Sequence, residues 1–241
     1  MYKKDFIDLV NNSFYNSEEL YSLSSNINKP NPFYIGYGNP NSKILIFGKE
    51  KAFDDKNLLQ LKYESIENPK QWKFYIDNCI SINKTKFYES DHYVNVFFPY
   101  VQNQRSGHTW NKYNLLLKSV FSNASFENTD FLNSTFISEI NYVPSRISQI
   151  KKFDDSTRIE LLKSNFFKSF KITVLACGNY LKKEQIEDIF DVKFFIDKSE
   201  KRAKLIVYKN EERILINTRQ LSMDVKNEYL KRISDLIIEN L

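Results

Sequence analysis

Two short apolar runs that end in glycine constrain the fold of this chain more than any other feature. They are KILIFG at residues 43–48 and KITVLACG at residues 171–178. Both runs lack a polar–apolar alternation, which is typical of strands buried on both faces in a parallel sheet. Segments with helical spacing of apolar residues separate and follow them, the strongest being HTWNKYNLLLKSVF at 108–121. Alternating strands and helices predict an α/β fold.

The predicted architecture is a three-layer α/β fold, in which a mainly parallel four-stranded sheet has helices on both faces. With 241 residues and no internal repeat or linker, the chain is expected to form one α/β domain over residues 1–241. An N-terminal helical segment at 1–30 begins this domain, and a C-terminal helix at 224–241 packs on it. Ligands of such folds bind beyond the carboxyl ends of the strands.

Charge and composition limit the classes of partner. The chain has 35 basic and 30 acidic residues, and this mild excess permits a polyanionic partner without requiring one. Two cysteines are too few for a disulfide framework, and no apolar run approaches the length of a membrane span. The only histidines, His92 and His108, lack metal-ligand spacing. We therefore expect a cytoplasmic protein without metal, cofactor or membrane contact, and a monomer is favoured.

Glycine is scarce and lies outside the predicted helices. The five glycines are Gly36, Gly38, Gly48, Gly107 and Gly178. Glycine serves where φ is positive or where another group must approach the backbone closely. The positions indicate the mouth of one site, and ordinary turn chemistry is the alternative interpretation.

Five segments resemble, in order and context, motifs of the uracil-DNA glycosylase superfamily. They are GKEKA at 48–52, GHTW at 107–110, SEIN with PSR at 138–146, ACG at 176–178, and RQLS at 219–222. The corresponding family motifs are GQDPY or GEAPG, G-x-P-F, TNVVKCRPP, ALG and HPS. The resemblance spans about residues 33–225. Arg219 stands near the place of the closing-loop histidine, and Glu139 replaces the asparagine that selects uracil.

The resemblance implies a DNA glycosylase-like enzyme that hydrolyses the N-glycosidic bond of a base flipped out of DNA. It implies that Glu50 is the carboxylate that activates water or stabilises the sugar cation, while Arg219 stabilises the leaving base. The base-binding residues would be Gly48, Lys49, His108, Trp110, Glu139 and Asn141, with Trp110 stacking on the base. The DNA-binding residues would be Lys51, Ser145, Arg146, Gln220 and Ser222.

The residue types around Glu50 and at Glu139 refine this hypothesis. Lys49 and Lys51 flank Glu50 and favour its ionised form. An ionised Glu139 would accept a hydrogen bond from the amino group of a cytosine-type base and repel O4 of uracil. Excision of ordinary cytosine would damage the host genome. A modified base, such as those of phage DNA, is therefore favoured, and with it a role in anti-phage defence.

Two other functions stay open. A catalytically inactive sensor of modified bases on the same fold is favoured by the loss of the family histidine and opposed by Glu50. A nucleoside or nucleotide hydrolase is weakened because the chain has no Gly-rich phosphate loop. Structural roles are also open for the candidates: a charged turn for Glu50, core packing for Trp110, an ion pair for Glu139, and solvated loop polarity for the others.

Overall fold

The computed structural model describes residues 1–52, 61–81, 96–97, 108–122, 130–145, 152–201, 203–222 and 224–241. Its helices are α1 (Lys4–Ser22), α2 (Asn68–Asp77), α3 (His108–Phe121), α4 (Ser156–Leu162), α5 (Asn165–Lys168), α6 (Lys183–Phe190) and α7 (Asn227–Ile238). Short 3₁₀ turns lie at Ser24–Asn26 and Asp130–Asn133, and a π-helical turn lies at Lys62–Ile66. None of the helices in these ranges is long and apolar enough to cross a membrane.

The described strands form one sheet of seven. They are β1 (Tyr37–Gly38), β2 (Ile44–Gly48), β3 (Thr135–Glu139), β4 (Ile172–Leu175), β5 (Lys193–Asp197), β6 (Leu205–Lys209) and β7 (Ile214–Thr218). Their order across the sheet is β1-β3-β2-β4-β7-β6-β5. The four central strands β3, β2, β4 and β7 are parallel, whereas β1, β6 and β5 are antiparallel to their neighbours.

The α/β class predicted from the sequence is confirmed, but the expectation of a four-stranded sheet is wrong. The parallel core does contain four strands, and antiparallel strands extend it at both edges. The glycine-ended run at 43–48 supplies β2, and the run at 171–178 supplies β4. Every residue of β2, β3, β4 and β7 is buried, which explains why their sequences lack alternation.

Helices pack on both faces of the sheet. Phe136 of β3 contacts the rings of Phe6, Trp72 and Phe166, which belong to α1, α2 and α5. Side chains alternate along a strand, so Glu139 points to the face opposite Phe136. On that opposite face lies the buried Tyr113 of α3, whose pKa is raised by desolvation and, to a smaller extent, by the charge of the nearby Glu139. The C-terminal helix α7 packs against α3.

Candidate active site at the carboxyl edge of the sheet

The order of the strands changes direction between the neighbouring strands β2 and β4. This creates a reversal point at the edge of the sheet where the carboxyl ends of the parallel strands lie. After β2 the chain continues to β3 on one side, and after β4 it continues to β5, β6 and β7 on the other side. The carboxyl ends of β2 and β4 therefore flank the position where open α/β sheets bind ligands. The four central strands are parallel, so the loops that follow them meet at this same edge. These loops contain most of the site residues predicted from the sequence.

Backbone hydrogen bonds join the loops that follow β2 and β3. They run from the N–H of Ile140 to Gly48 O (3.0 Å), from Asn141 to Lys49 O (2.8 Å), and from Ser145 to Lys51 O (3.0 Å). The Asn141 side chain takes part in its own loop, because its Oδ1 accepts the N–H of Val143 at 3.0 Å. These bonds hold the segment around Glu50 in a defined conformation. The side-chain oxygen of Asn141 therefore stabilises the loop after β3. Contact of Asn141 with a base stays a prediction.

Glu50 faces the loop that follows β4. The buried Tyr180 donates its phenol O–H to Oε2 of Glu50. The ammonium of Lys49 lies 4.6 Å from the centroid of the Tyr180 ring, so cation and carboxylate share one aromatic neighbour. Glu50 itself is only partly buried. The result is an oriented carboxylate with access to solvent, next to the reversal point of the sheet.

The Glu139 carboxyl group packs directly on Gly48. A Cβ atom on Gly48 would overlap Oε2 of Glu139 and lie 2.9 Å from its Cδ. Parallel pairing of β2 with β3 sets this contact, because Gly48 and Glu139 are register partners. The space beside Gly48 is therefore filled by a neighbouring side chain, whereas a ligand was expected there from the sequence.

Glu139 is a buried acid with an open hydrogen-bonding position. Only 6% of the residue is exposed, and its Oε2 has no hydrogen-bond partner among the residues described. Burial raises its pKa to about 8, against the opposing effect of Lys51 and with a smaller contribution from Glu50. The carboxyl group therefore holds a proton at neutral pH and can donate a hydrogen bond as well as accept one. This differs from the ionised form expected from the sequence.

Lys51 points into the protein. Its ammonium donates to the Tyr37 hydroxyl at 3.0 Å and to the backbone carbonyl of Glu64. It also lies 4.1 Å and 4.4 Å from the ring centroids of Tyr34 and Tyr37. Desolvation lowers its pKa to about 8. This placement does not match the phosphate contact expected from the sequence.

Two residues at the start of α3 were expected to line a base pocket. Trp110 is partly buried, and its ring centroid lies 6.2 Å from that of Tyr37 and 6.1 Å from that of Phe131, with edge-on geometry at Phe131. These are packing contacts, and stacking of Trp110 on a base stays a prediction. His108 is the exposed first residue of α3.

The loop after β7 contains three predicted residues. Arg219 donates to the carboxylate of Asp224 and forms an ion pair with it, and Ser222 donates to the same carboxylate at 2.8 Å. Gln220 lies between them and is partly buried. A cavity of about 700 Å³ adjoins this loop, lined in part by Arg219, Asp224 and Tyr229. Arg219 is thus already paired with an acid. Arg146, the other predicted arginine, falls outside the described residues.

Three residues of this edge were not anticipated. Tyr180 follows the glycine after β4 by two positions, and that proximity is a signal that sequence reasoning could have used. Lys204 donates to Gly178 O at 2.6 Å and to Asn179 Oδ1 at 3.0 Å, which holds the turn before Tyr180. Arg158 of α4 is fully buried and donates to the Glu139 carbonyl and the Ser138 hydroxyl. Its position on a helix gave no sign of this role.

The described part of the chain contains no cluster of His, Cys, Asp and Glu suited to a metal ion. Comparison of the sequence with protein-family models found no match. Comparisons with curated proteins and with solved structures likewise found none. The function must therefore be inferred from the geometry of the site.

Proposed function

We propose that this protein is a DNA glycosylase-like hydrolase that cleaves the N-glycosidic bond of a flipped-out, modified base of the cytosine type. The observation that supports this most is the position of Glu50. Its carboxylate lies at the carboxyl end of the first central strand, beside the sheet reversal, and is oriented by the phenol of Tyr180. A uracil-DNA glycosylase-like, three-layer version of the α/β fold is part of this proposal. The position of GKEKA directly at the end of β2 supports it.

The proposed reaction needs few groups. Water attacks C1′ of the deoxyribose, the C1′–N bond breaks, and its electron pair leaves with the base. Glu50 accepts the proton of the water or stabilises the positive charge on the sugar. Tyr180 keeps the carboxylate aimed, and the ammonium of Lys49 lies over the Tyr180 ring. The departing base is then protonated from solvent or from a nearby donor.

Glu139 is the proposed base-recognition residue. Its carboxyl group accepts a hydrogen bond from an exocyclic amino group in either protonation state. Only the ionised form repels the O4 atom of uracil, and burial favours the neutral form. We therefore propose an amino-bearing base as the preferred substrate, with limited discrimination against uracil at neutral pH. Excision from phage DNA with modified bases would make the protein a defence enzyme.

The first experiment compares the wild-type protein with Glu50→Gln on DNAs that contain uracil, cytosine, 5-hydroxymethylcytosine or glycosylated hydroxymethylcytosine. Free base is detected by mass spectrometry and abasic sites by alkaline cleavage. We expect release of a modified cytosine, and a rate about 10²–10⁴-fold lower for Glu50→Gln because the general base is lost.

The matched control is Glu160→Gln, which removes a surface carboxylate of α4 that pairs only with Lys163 in the described structure. It should retain full activity. Equal rates for Glu50→Gln and the wild-type protein would contradict the proposed role of Glu50. Release of uracil alone would keep the reaction type and contradict the proposed role of Glu139.

One observation favours the inactive sensor as a second candidate. The guanidinium of Arg219 forms an ion pair with Asp224. It is therefore not free in this loop to stabilise the charge on a departing base. A sensor would bind DNA with a modified base tightly and leave the DNA intact. Tight binding without abasic sites, unchanged in Glu50→Gln, would identify it.

A further inference from the structure

The strand β5 forms an outer edge of the sheet and exposes apolar side chains there. It pairs only with β6 among the strands that the structure describes. All five of its residues are exposed. Phe194, Phe195 and Ile196 expose 43%, 53% and 38% of their surface. Isolated apolar residues on a surface need no explanation, but three in a row on an edge strand indicate an interaction site.

Two lysine ammonium groups lie over the exposed rings of β5, and the rings nevertheless stay partly open to solvent. The ammonium of Lys183 lies 4.6 Å from the centroid of the Phe194 ring, and that of Lys209 lies 3.3 Å from the centroid of the Phe195 ring. Such contacts are weakly favourable at exposed sites. They do not replace the burial that two phenylalanines gain in a protein interface.

The sequence of β5 is complementary to itself in the antiparallel direction. If two copies of KFFID pair antiparallel about Phe195, Lys193 of each lies opposite Asp197 of the other, and Phe194 lies opposite Ile196. Opposite charges and apolar pairs that face each other across strands stabilise a sheet. The side chain of Lys193 is 84% exposed, and its contact with Glu187 is long, at 3.8 Å. The ammonium is therefore available to a second chain.

We propose that β5 is the contact between two copies of this chain, which associate antiparallel about a two-fold axis through Phe195. A two-fold axis places the same patch on both copies, which is the commonest geometry of soluble homo-oligomers. This inference replaces the monomer favoured by the sequence. It is independent of the proposed glycosylase activity.

A nucleic-acid partner fits this surface less well. Exposed phenylalanines beside lysines are a known platform for bases. Carboxylates lie beside these rings, however, because Asp197 belongs to β5 and Glu187 accepts the N–H of Phe194. Desolvation raises the pKa of Tyr208, the ring neighbour of Phe194, and the charges of Glu187, Glu184 and Asp197 add to this effect. A polyanion would meet these charges, whereas a second copy of the chain neutralises Asp197 with its own Lys193.

Two features make the predicted association weak. The pairing of β5 with β6 shifts register between Phe194 and Ile196, which marks a bulge that bends the strand. In addition, Oε1 of Glu187 accepts the N–H of Phe194 at 2.8 Å, which occupies one donor of the free edge. Bulges and capping charges are common protections of edge strands. We expect a dissociation constant in the micromolar range or weaker.

The test is sedimentation velocity over a wide range of concentrations. The wild-type protein should shift from the mass of one chain towards twice that mass, and Phe195→Asp should remain at one chain. Lys193→Asp and Asp197→Lys should each fail to self-associate, because like charges then face each other. A one-to-one mixture of these two variants should form a heterodimer, since both facing pairs become attractive.

Thermal unfolding by circular dichroism controls for folding, and the exposed positions should leave it unchanged. A wild-type protein that stays at one chain at all concentrations would overturn the proposal. The proposal would also be overturned if the wild-type protein forms dimers but the mixture of the two charge variants does not associate. Binding of a single-stranded oligonucleotide that Phe195→Asp abolishes, without dimers, would assign the surface to nucleic acid instead.

Discussion

At the scale of single residues, Gly48 and Glu139 depend on each other. The buried carboxyl group occupies the space where any larger residue would place its Cβ. Burial of this carboxyl group raises its pKa to about 8. The absent side chain on β2 therefore leaves the space that a buried acid on β3 occupies.

Gly48→Ala should destabilise the protein by about 1–3 kcal/mol, because the new methyl group overlaps the Glu139 carboxyl group. Chemical denaturation measures the change in the free energy of unfolding. The double variant Gly48→Ala with Glu139→Ala should recover part of the loss, since the overlapping group is gone. Additive effects of the two substitutions would show that Glu139 is not the group that requires glycine.

Glu139→Gln should become increasingly stable relative to the wild-type protein as the pH rises from about 5 to 8. The unfolded carboxyl group ionises near its ordinary value of 4.5, whereas the folded one holds its proton to about 8. In this window the folded state binds more protons, so wild-type stability falls with rising pH, by up to about 1.4 kcal/mol for each pH unit. Glutamine has no such dependence.

Denaturant titrations at several pH values measure this difference. Glu160→Gln is again the control, because its carboxylate is on the surface. A constant difference between Glu139→Gln and the wild-type protein across the window would contradict a raised pKa of Glu139.

At the scale of elements, Arg158 joins helix α4 to the end of β3 and to the loop before β1. Its guanidinium donates to the carbonyl groups of Tyr34, Glu139 and Ile140, among others. Five donors in one plane suit several acceptors that approach from different directions. Desolvation lowers the pKa of Arg158 to about 10, which still leaves it charged at neutral pH.

Arg158→Lys should lower the free energy of unfolding by about 3 kcal/mol, because a lysine reaches fewer of these buried acceptors. The loss should appear in thermal and denaturant unfolding. Lys163→Arg, an exchange of cation type just after the same helix, should change stability by less than about 0.5 kcal/mol, since Lys163 makes only surface ion pairs in the described structure. A similar effect of both substitutions would contradict the clamping role of Arg158.

At the scale of the whole molecule, the carboxyl ends of the central strands are polar, whereas the outer edge of the sheet at β5 is largely apolar. The carboxyl ends of the central strands gather Glu50, Glu139 and Tyr180 beside the reversal point. The outer strand β5 instead presents an apolar, self-complementary surface. A dimer through β5 would extend the sheet sideways and leave the carboxyl ends open to substrate.

The sequence by itself determined the α/β class, because buried strands and amphipathic helices have different local periods. It also located β2 and β4 from their glycine-ended apolar runs, and it singled out GKEKA at the end of the first run. Each of these features depends on residues close to one another in the chain.

Only the tertiary structure decided what these residues contact. Glu50 meets Tyr180, which is 130 positions away, and Gly48 packs against the carboxyl group of Glu139 on a neighbouring strand. Lys51 turns towards Tyr34 and Tyr37, although its place beside Glu50 suggested a surface role. The edge strands that extend the sheet to seven also depend on pairing between distant segments. Local patterns do not encode which strands pair, because a buried strand could be covered equally well by several different neighbouring strands.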